Sequence, residues 1–291
     1  MNHRNHCWKS FKSKRNPKLN NQALFPFIKG KWAIVTGASS GIGESIASIL
    51  AKNQTNLILV SRNREKLLSL KSTFESLYKV KVEVLDIDLS NSKSAEEIYT
   101  FCEDHQIFVE ILVNNAGYAI RTQEEALYPE KVSAMLQVMI ITLTELCNRF
   151  LPEMKQNQRG WILNVSSIVG YFPMASTLTY CASKRYIIDY TRYLHFEYKQ
   201  DGIKISCLLP GPTKSSFSQN NNLPIPKNLL RFYQSADKVA YLALKALAKN
   251  KQIAITGNIS RILIWGSKLI PQSLLYMIQK NIWVKTRDKF K

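Results

Sequence analysis

With 291 residues, 45% of them hydrophobic, the chain is long enough for one large α/β domain with a substantial core, and 11 Gly and 10 Pro are too few for a low-complexity protein. The net charge of +19 is unevenly spread: residues 1–31 carry eight Lys or Arg and no acid, and residues 241–291 carry ten against the single acid Asp288, which leaves only +2 for residues 32–240. A nearly neutral body argues against a nucleic-acid-binding core, whereas two basic ends suit contact with an anionic surface.

The five cysteines, Cys7, Cys102, Cys147, Cys181 and Cys207, are odd in number and far apart, so neither a disulfide framework nor a metal site is expected and a reducing, cytoplasmic compartment fits best. The basic N-terminus lacks the apolar stretch of a signal peptide, and no uninterrupted apolar run reaches the length of a spanning helix.

In chain order, residues 1–30 read as a basic flexible leader. A first strand is expected over Lys31–Thr36, followed by a glycine-rich turn and a helix over Gly43–Asn53. The run Asn56–Ser61 is continuously apolar, as a parallel strand covered on both faces should be. A helix over Arg64–Tyr78, a strand over Lys81–Asp86, a helix over Ser92–His105 capped by Ser90 or Ser92, and a strand over Val109–Asn114 continue the alternation. Long helices over Pro129–Pro152 and Thr177–Lys199 flank a strand over Trp161–Ser166. Strand Lys204–Leu209, helix Asp237–Lys249 and strand Gln252–Thr256 close the series. The pattern predicts one doubly wound parallel sheet over residues 31–257. Residues 258–291 form a basic amphipathic extension, apolar over Ile259–Ile270 and helical after Pro271.

The chemistry concentrates where strands end. Thr36-Gly37-Ala38-Ser39-Ser40-Gly41-Ile42-Gly43 places glycines between a strand and a helix start, a cradle in which backbone N–H groups and the helix dipole meet a phosphate. Ser61-Arg62-Asn63 holds no acid for a ribose 2′-hydroxyl; Arg62, or Arg64, would instead pair with a 2′-phosphate, which favours NADP(H) over NAD. Asp86-Ile87-Asp88-Leu89 after the third strand offers a carboxylate to accept from an adenine amino group or simply to cap the next helix. Asn114-Asn115-Ala116-Gly117 lets the chain pass close to a cofactor. Tyr180 and Lys184 are four apart on one helix face, so an ammonium could lower the phenol toward working pH. Ser166 or Ser167 ends a strand at the same crevice.

Taken together, these motifs with Pro210-Gly211-Pro212-Thr213 resemble, in order and spacing, the short-chain dehydrogenase/reductase superfamily of the classical type, over about Lys31 to Gly257. The resemblance implies a Rossmann fold and hydride transfer between NADP(H) and a carbonyl or secondary alcohol. It implies Ser167, Tyr180 and Lys184 as catalytic residues, Ser167 being preferred for its spacing of thirteen before Tyr180. It also implies that Gly37, Ser39, Ser40, Gly41, Ile42 and Gly43 meet the pyrophosphate, Arg62 the 2′-phosphate and Asp88 the adenine. Asn114, Asn115, Ala116 and Gly117 would lie along the adenine ribose region. Lys184 would bind the nicotinamide ribose, and Pro210, Gly211 and Thr213 would flank the nicotinamide.

One position departs from the family pattern: Met139 stands where an Asn commonly kinks the fourth long helix and holds a relay water, and a thioether cannot hold that water as an amide does. The competing expectation is therefore a cofactor-binding regulator or scaffold with this fold and little turnover. The substrate side, drawing on Tyr118, Tyr171, Phe172, Met174 and the loop Lys214–Gln234, reads as apolar and suits a lipid-like molecule. The expected assembly is a homo-oligomer, and the C-terminal segment is expected to touch a membrane surface, peripherally on its cytoplasmic face.

Overall fold

The computed structural model describes residues 25–172, 177–215, 217, 232–267 and several positions between 269 and 281. Within them the alternation closes into one seven-stranded sheet with every neighbouring pair parallel. Its strands are β1 (Trp32–Thr36), β2 (Asn56–Val60), β3 (Val82–Leu85), β4 (Val109–Asn114), β5 (Gly160–Val165), β6 (Ile203–Leu209) and β9 (Ile253–Ile255), in the order β3-β2-β1-β4-β5-β6-β9. A short separate pair, β7 (Thr213–Lys214) and β8 (Gln234–Ser235), was not expected from the sequence.

Every residue of β4 and β5 is buried, which is why these runs are mostly apolar without alternation, with Glu110, Asn114 and Asn164 as their buried polar members. Helices α1 (Gly41–Lys52), α2 (Arg64–Tyr78) and α8 (Ala236–Ala248) cover one face. Helices α3 (Ser94–Asp104), α6 (Thr142–Gln156) and α7 (Leu178–Glu197) cover the other. The chain leaves β1 toward β2 on one side and reaches β4 on the other, so a crevice opens at the carboxyl ends of β1 and β4.

Local chemistry explains most boundaries. Asn63 caps α2 by accepting from the Lys66 N–H at 2.9 Å, and Ser235 caps α8 by accepting from Lys238 at 3.3 Å. The expected cap on α3 is not there: Lys93 precedes that helix without a side-chain bond, and Ser90 turns back to Asp88 instead. The expected helix over Pro129–Pro152 is in fact three pieces, α5 (Pro129–Leu136), a π-helical turn Gln137–Ile141, and α6, which runs past the exposed Pro152 to Gln156. An additional short helix, α4 (Thr122–Glu125), precedes α5.

Within 129–156, an 18-residue window with mean hydropathy 1.3 is long and apolar enough to cross a membrane by composition. Half of it is buried inside the fold, where Met135, Met139, Leu146, Cys147 and Phe150 pack on the sheet. The C-terminal extension begins with α9 (Asn258–Ser267), which turns Ser260 and Ile264 inward.

Candidate active site

The glycine turn is held by the end of β4. Thr36 Oγ1 donates to the Val113 carbonyl at 3.3 Å and accepts from the Asn115 and Ala116 N–H groups at 2.9 and 3.1 Å. Asn115 Nδ2 donates to the Thr36 and Gly37 carbonyls at 3.0 and 3.2 Å. Gly37 and Gly41 have φ of +64° and +58°, a region that only glycine enters cheaply. At Gly43 a Cβ would run into the Gly37 carbonyl oxygen and the Asn115 amide. Gly37, Ser39, Ser40, Gly41 and Ile42 line a crevice of about 600 Å³, whereas Gly43 sits behind the turn and lets it close.

At the adenine-side end, Ser61 Oγ donates to Ser39 Oγ at 2.8 Å and joins β2 to the turn. Arg62 lines the crevice and faces Asp88 at 3.7 Å, whereas Arg64 pairs with Asp86 at 2.7 Å and is not part of the lining. Partial burial pushes the Asp88 carboxyl up, but the Ser90 N–H and hydroxyl bonds (2.9 and 2.8 Å) and Arg62 outweigh it, leaving Asp88 below its usual value. Asp88 does not cap α3, which Lys93 precedes without a side-chain bond; it lines the crevice, with one oxygen accepting from Ser90 and the other facing Arg62.

Asn114 does not reach the crevice. Its buried amide donates to Asn164 Oδ1 at 2.9 Å and to Cys147 Sγ at 3.3 Å, tying β4 to β5 and α6. Asn115, Ala116 and Gly117 do line it.

The reactive side chains meet in the other half. Ser166 and Ser167 both line the crevice and are distinguished by their partners: the Ser166 hydroxyl is spent on the Lys184 carbonyl at 2.6 Å, while Ser167 shares a hydrogen bond with Tyr180. Lys184 is 4% exposed, and burial pulls its ammonium down to about 8. Its Nζ donates to the Val165 carbonyl at 2.8 Å and lies 5.6 Å from the centre of the Tyr180 ring. The expected lowering of the phenol is not what the geometry produces. Burial, and to a lesser extent Cys181, hold Tyr180 above its ordinary value despite Ser167, which favours its neutral, protonated form.

Met139 is fully buried, and a Cβ on Gly117 would be 3.2 Å from its sulfur and 3.5 Å from Lys184 Nζ. The helix is nevertheless distorted here, since Met139 lies within the π turn. Thr142 holds the end of that turn, donating to the Leu89 carbonyl at 2.9 Å. Pro210, Gly211, Pro212 and Thr213 form the opposite rim, with the Gly211 N–H donating to Thr256 Oγ1 at 3.3 Å.

Of the residues expected on the substrate side, Tyr118 lines the crevice. Tyr171 instead lies between the Arg185 and Arg192 guanidiniums at 5.2 and 5.4 Å, Phe172 is not in the lining, and Met174 and residues 218–231 fall outside the described residues. Phe217 and Tyr233, both from the expected loop Lys214–Gln234, line the crevice, and so does Val138, which was not anticipated. The signal for Val138 was its place one residue before Met139, on the helix face turned inward.

A profile of the family described as short chain dehydrogenase matches residues 31–225. The chain belongs to the short-chain dehydrogenase/reductase superfamily. It is 36% identical to very-long-chain 3-oxoacyl-CoA reductase-A of Danio rerio over 66% of its own length and 60% of that protein's. It is 32% identical to hydroxysteroid dehydrogenase-like protein 1 of Gallus gallus, over 81% of this chain and 71% of that one. The chain thus spans about three-fifths of the length of the oxoacyl-CoA reductase. Among solved structures, a short-chain dehydrogenase from Sphingobium yanoikuyae in complex with NADPH superposes with a TM-score of 0.71 at 27% identity, covering 77% of this chain and 87% of that one.

Proposed function

We propose that this protein is an NADP(H)-dependent oxidoreductase that reduces a carbonyl group, or oxidises the corresponding alcohol, on an apolar, lipid-like substrate. The observation that carries this reading is a single crevice in which the glycine turn and Arg62 stand at one end and Ser167, Tyr180 and Lys184 at the other. The turn fits a dinucleotide, because its glycines leave open backbone where side chains would collide, and Arg62 fits a 2′-phosphate. The bound cofactor would supply the hydride. In the reductive direction the Tyr180 hydroxyl donates its proton to the carbonyl oxygen, which the Ser167 hydroxyl holds in place. The Lys184 ammonium stabilises the phenolate that results. Val138, Ile168, Val169, Phe217 and Tyr233 supply apolar walls, and relatives named as very-long-chain 3-oxoacyl-CoA reductases support a long acyl substrate.

Tyr180→Phe tests the chemistry: turnover of a 3-oxoacyl thioester should fall by at least about 100-fold, with NADPH affinity within about two-fold of wild type. Undiminished turnover would remove the assignment. NADPH binding without oxidation across a carbonyl panel would favour the regulator reading.

The exposed apolar residues of the extension support peripheral contact with an anionic membrane. Ile262 and Trp265 on α9 are each 70% exposed and Leu269 is 71% exposed, within an extension, residues 258–291, of net charge +6. Flotation with anionic liposomes at low salt should be lost in Ile262→Asp/Trp265→Asp; flotation equal to wild type would refute the contact.

A further inference from the structure

The helix that carries Tyr180 and Lys184 does not cap itself. Thr177 precedes α7 without a side-chain bond to the helix N–H groups, its hydroxyl being turned to Cys181 Sγ at 3.7 Å. The first intrahelical bond is Cys181 N–H to the Thr177 carbonyl at 3.0 Å, so the N–H groups of Leu178, Thr179 and Tyr180 need acceptors from elsewhere. Two of them find acceptors on α4, more than fifty residues away in sequence. The Leu178 N–H donates to Thr122 Oγ1 and the Thr179 N–H donates to Glu125 Oε1, both at 3.1 Å. A carboxylate at this end also complements the dipole of a twenty-residue helix.

Placement makes this more than a generic cap. Tyr180 is the residue directly after Thr179, so the first turn of α7 sets where its phenol points. The acceptors in turn lie just beyond the cofactor cradle. Only four residues separate Gly117 from Thr122, and two of these, Ala119 and Ile120, are buried at 6% and 5% and anchor the segment in the core. One short stretch, 115–125, therefore lines the cofactor crevice at its start and holds the proton-donor helix at its end.

We propose that Thr122 and Glu125 are positioning residues that fix Tyr180 by capping α7 from α4. The proposal rests on the oxidoreductase reading above. Neither side chain needs to touch the reacting atoms; each acts through the backbone of the first helical turn. What Glu125 supplies is an acceptor oxygen, which an amide can replace and a methyl group cannot.

The test uses the full chain and four variants, Glu125→Ala, Glu125→Gln, Thr122→Val and Thr122→Ser. Three quantities are read: kcat and KM with NADPH and a 3-oxoacyl thioester, thermal midpoint, and hydrogen–deuterium exchange of the amides at 178–180. Glu125→Ala should lower kcat about five-fold with the KM for NADPH unchanged, and should speed exchange in that turn. Glu125→Gln and Thr122→Ser should restore most of both, and Thr122→Val should behave as Glu125→Ala does. Wild-type kcat in Glu125→Ala, or equal losses in the alanine and glutamine variants, would overturn the positioning role. A lowered thermal midpoint with kcat unchanged would reduce the contact to stability alone and overturn it as well. Absence of turnover in the wild-type protein would instead overturn the oxidoreductase reading. Exchange needs no substrate, so unchanged protection at 178–180 in Glu125→Ala overturns the cap in either case.

Discussion

The two halves of the crevice are built differently. The cofactor half is a lattice of hydrogen bonds: Thr36, Asn115 and Ser39 with Ser61 tie one strand end to the next, and Asp88 with Ser90 shapes the loop after β3. The substrate half is apolar side chains drawn from separate elements, Val138 from the π turn, Val169 from the loop after β5, and Phe217 and Tyr233 from the region beyond β6. The first half recognises a shape through backbone geometry, which tolerates few residue types. The second excludes water through side-chain surface, which many residue types provide equally well. The cofactor half is accordingly specified by short motifs, and the substrate half only by packing.

The comparison can be broken at four points. The largest effect is expected at the boundary between the halves. Lys184→Met should lower kcat by about 100-fold or more, since the phenolate loses its counter-charge. The wild-type pH profile carries the same information. Because burial brings Lys184 down to about 8, its charge is lost as pH rises through that value, while Tyr180 remains protonated; reductive activity should therefore fall above pH about 8. Stability should move the other way. The folded state releases this proton at about 8 and the unfolded chain near the usual 10.5, so between the two the wild type gains stability with rising pH and Lys184→Met does not. Denaturant unfolding across that window checks the sign.

Next in size, Arg62→Leu should raise the KM for NADPH by about ten-fold to 100-fold and leave NADH use nearly unchanged, the loss of a charge-assisted contact worth about 1.5–3 kcal/mol. An equal loss with both cofactors would mean that Arg62 serves the local fold and not the 2′-phosphate. In the substrate half, Phe217→Ala should raise the KM for an acyl substrate about ten-fold without changing NADPH affinity. A parallel loss of NADPH binding would show that the two halves are not separable. The smallest effect on chemistry is expected at Gly43, which lies outside the lining. Gly43→Ala should cost about 1–3 kcal/mol of stability through the collision with the Gly37 carbonyl, read as a lowered thermal midpoint.

The sequence by itself determined the alternation of the doubly wound sheet, because strands buried on both faces must be continuously apolar and helices between them must show an apolar stripe. It also determined the glycine turn and the Tyr180–Lys184 face, where spacing alone brings groups together. Tertiary structure decided what depends on partners distant in the chain. It separated Ser167 from Ser166, because only the Lys184 carbonyl on α7 claims one hydroxyl. It separated Arg62 from Arg64 through their different acids, and moved Asn114 from the crevice into the bond between β4 and β5. It reversed the expected direction for Tyr180, since burial by distant elements outweighs an ammonium turned toward Val165. It also placed Thr122 and Glu125 at the head of α7, a contact across more than fifty residues that no local pattern encodes, because a helix end asks only for an acceptor and any nearby oxygen can supply one.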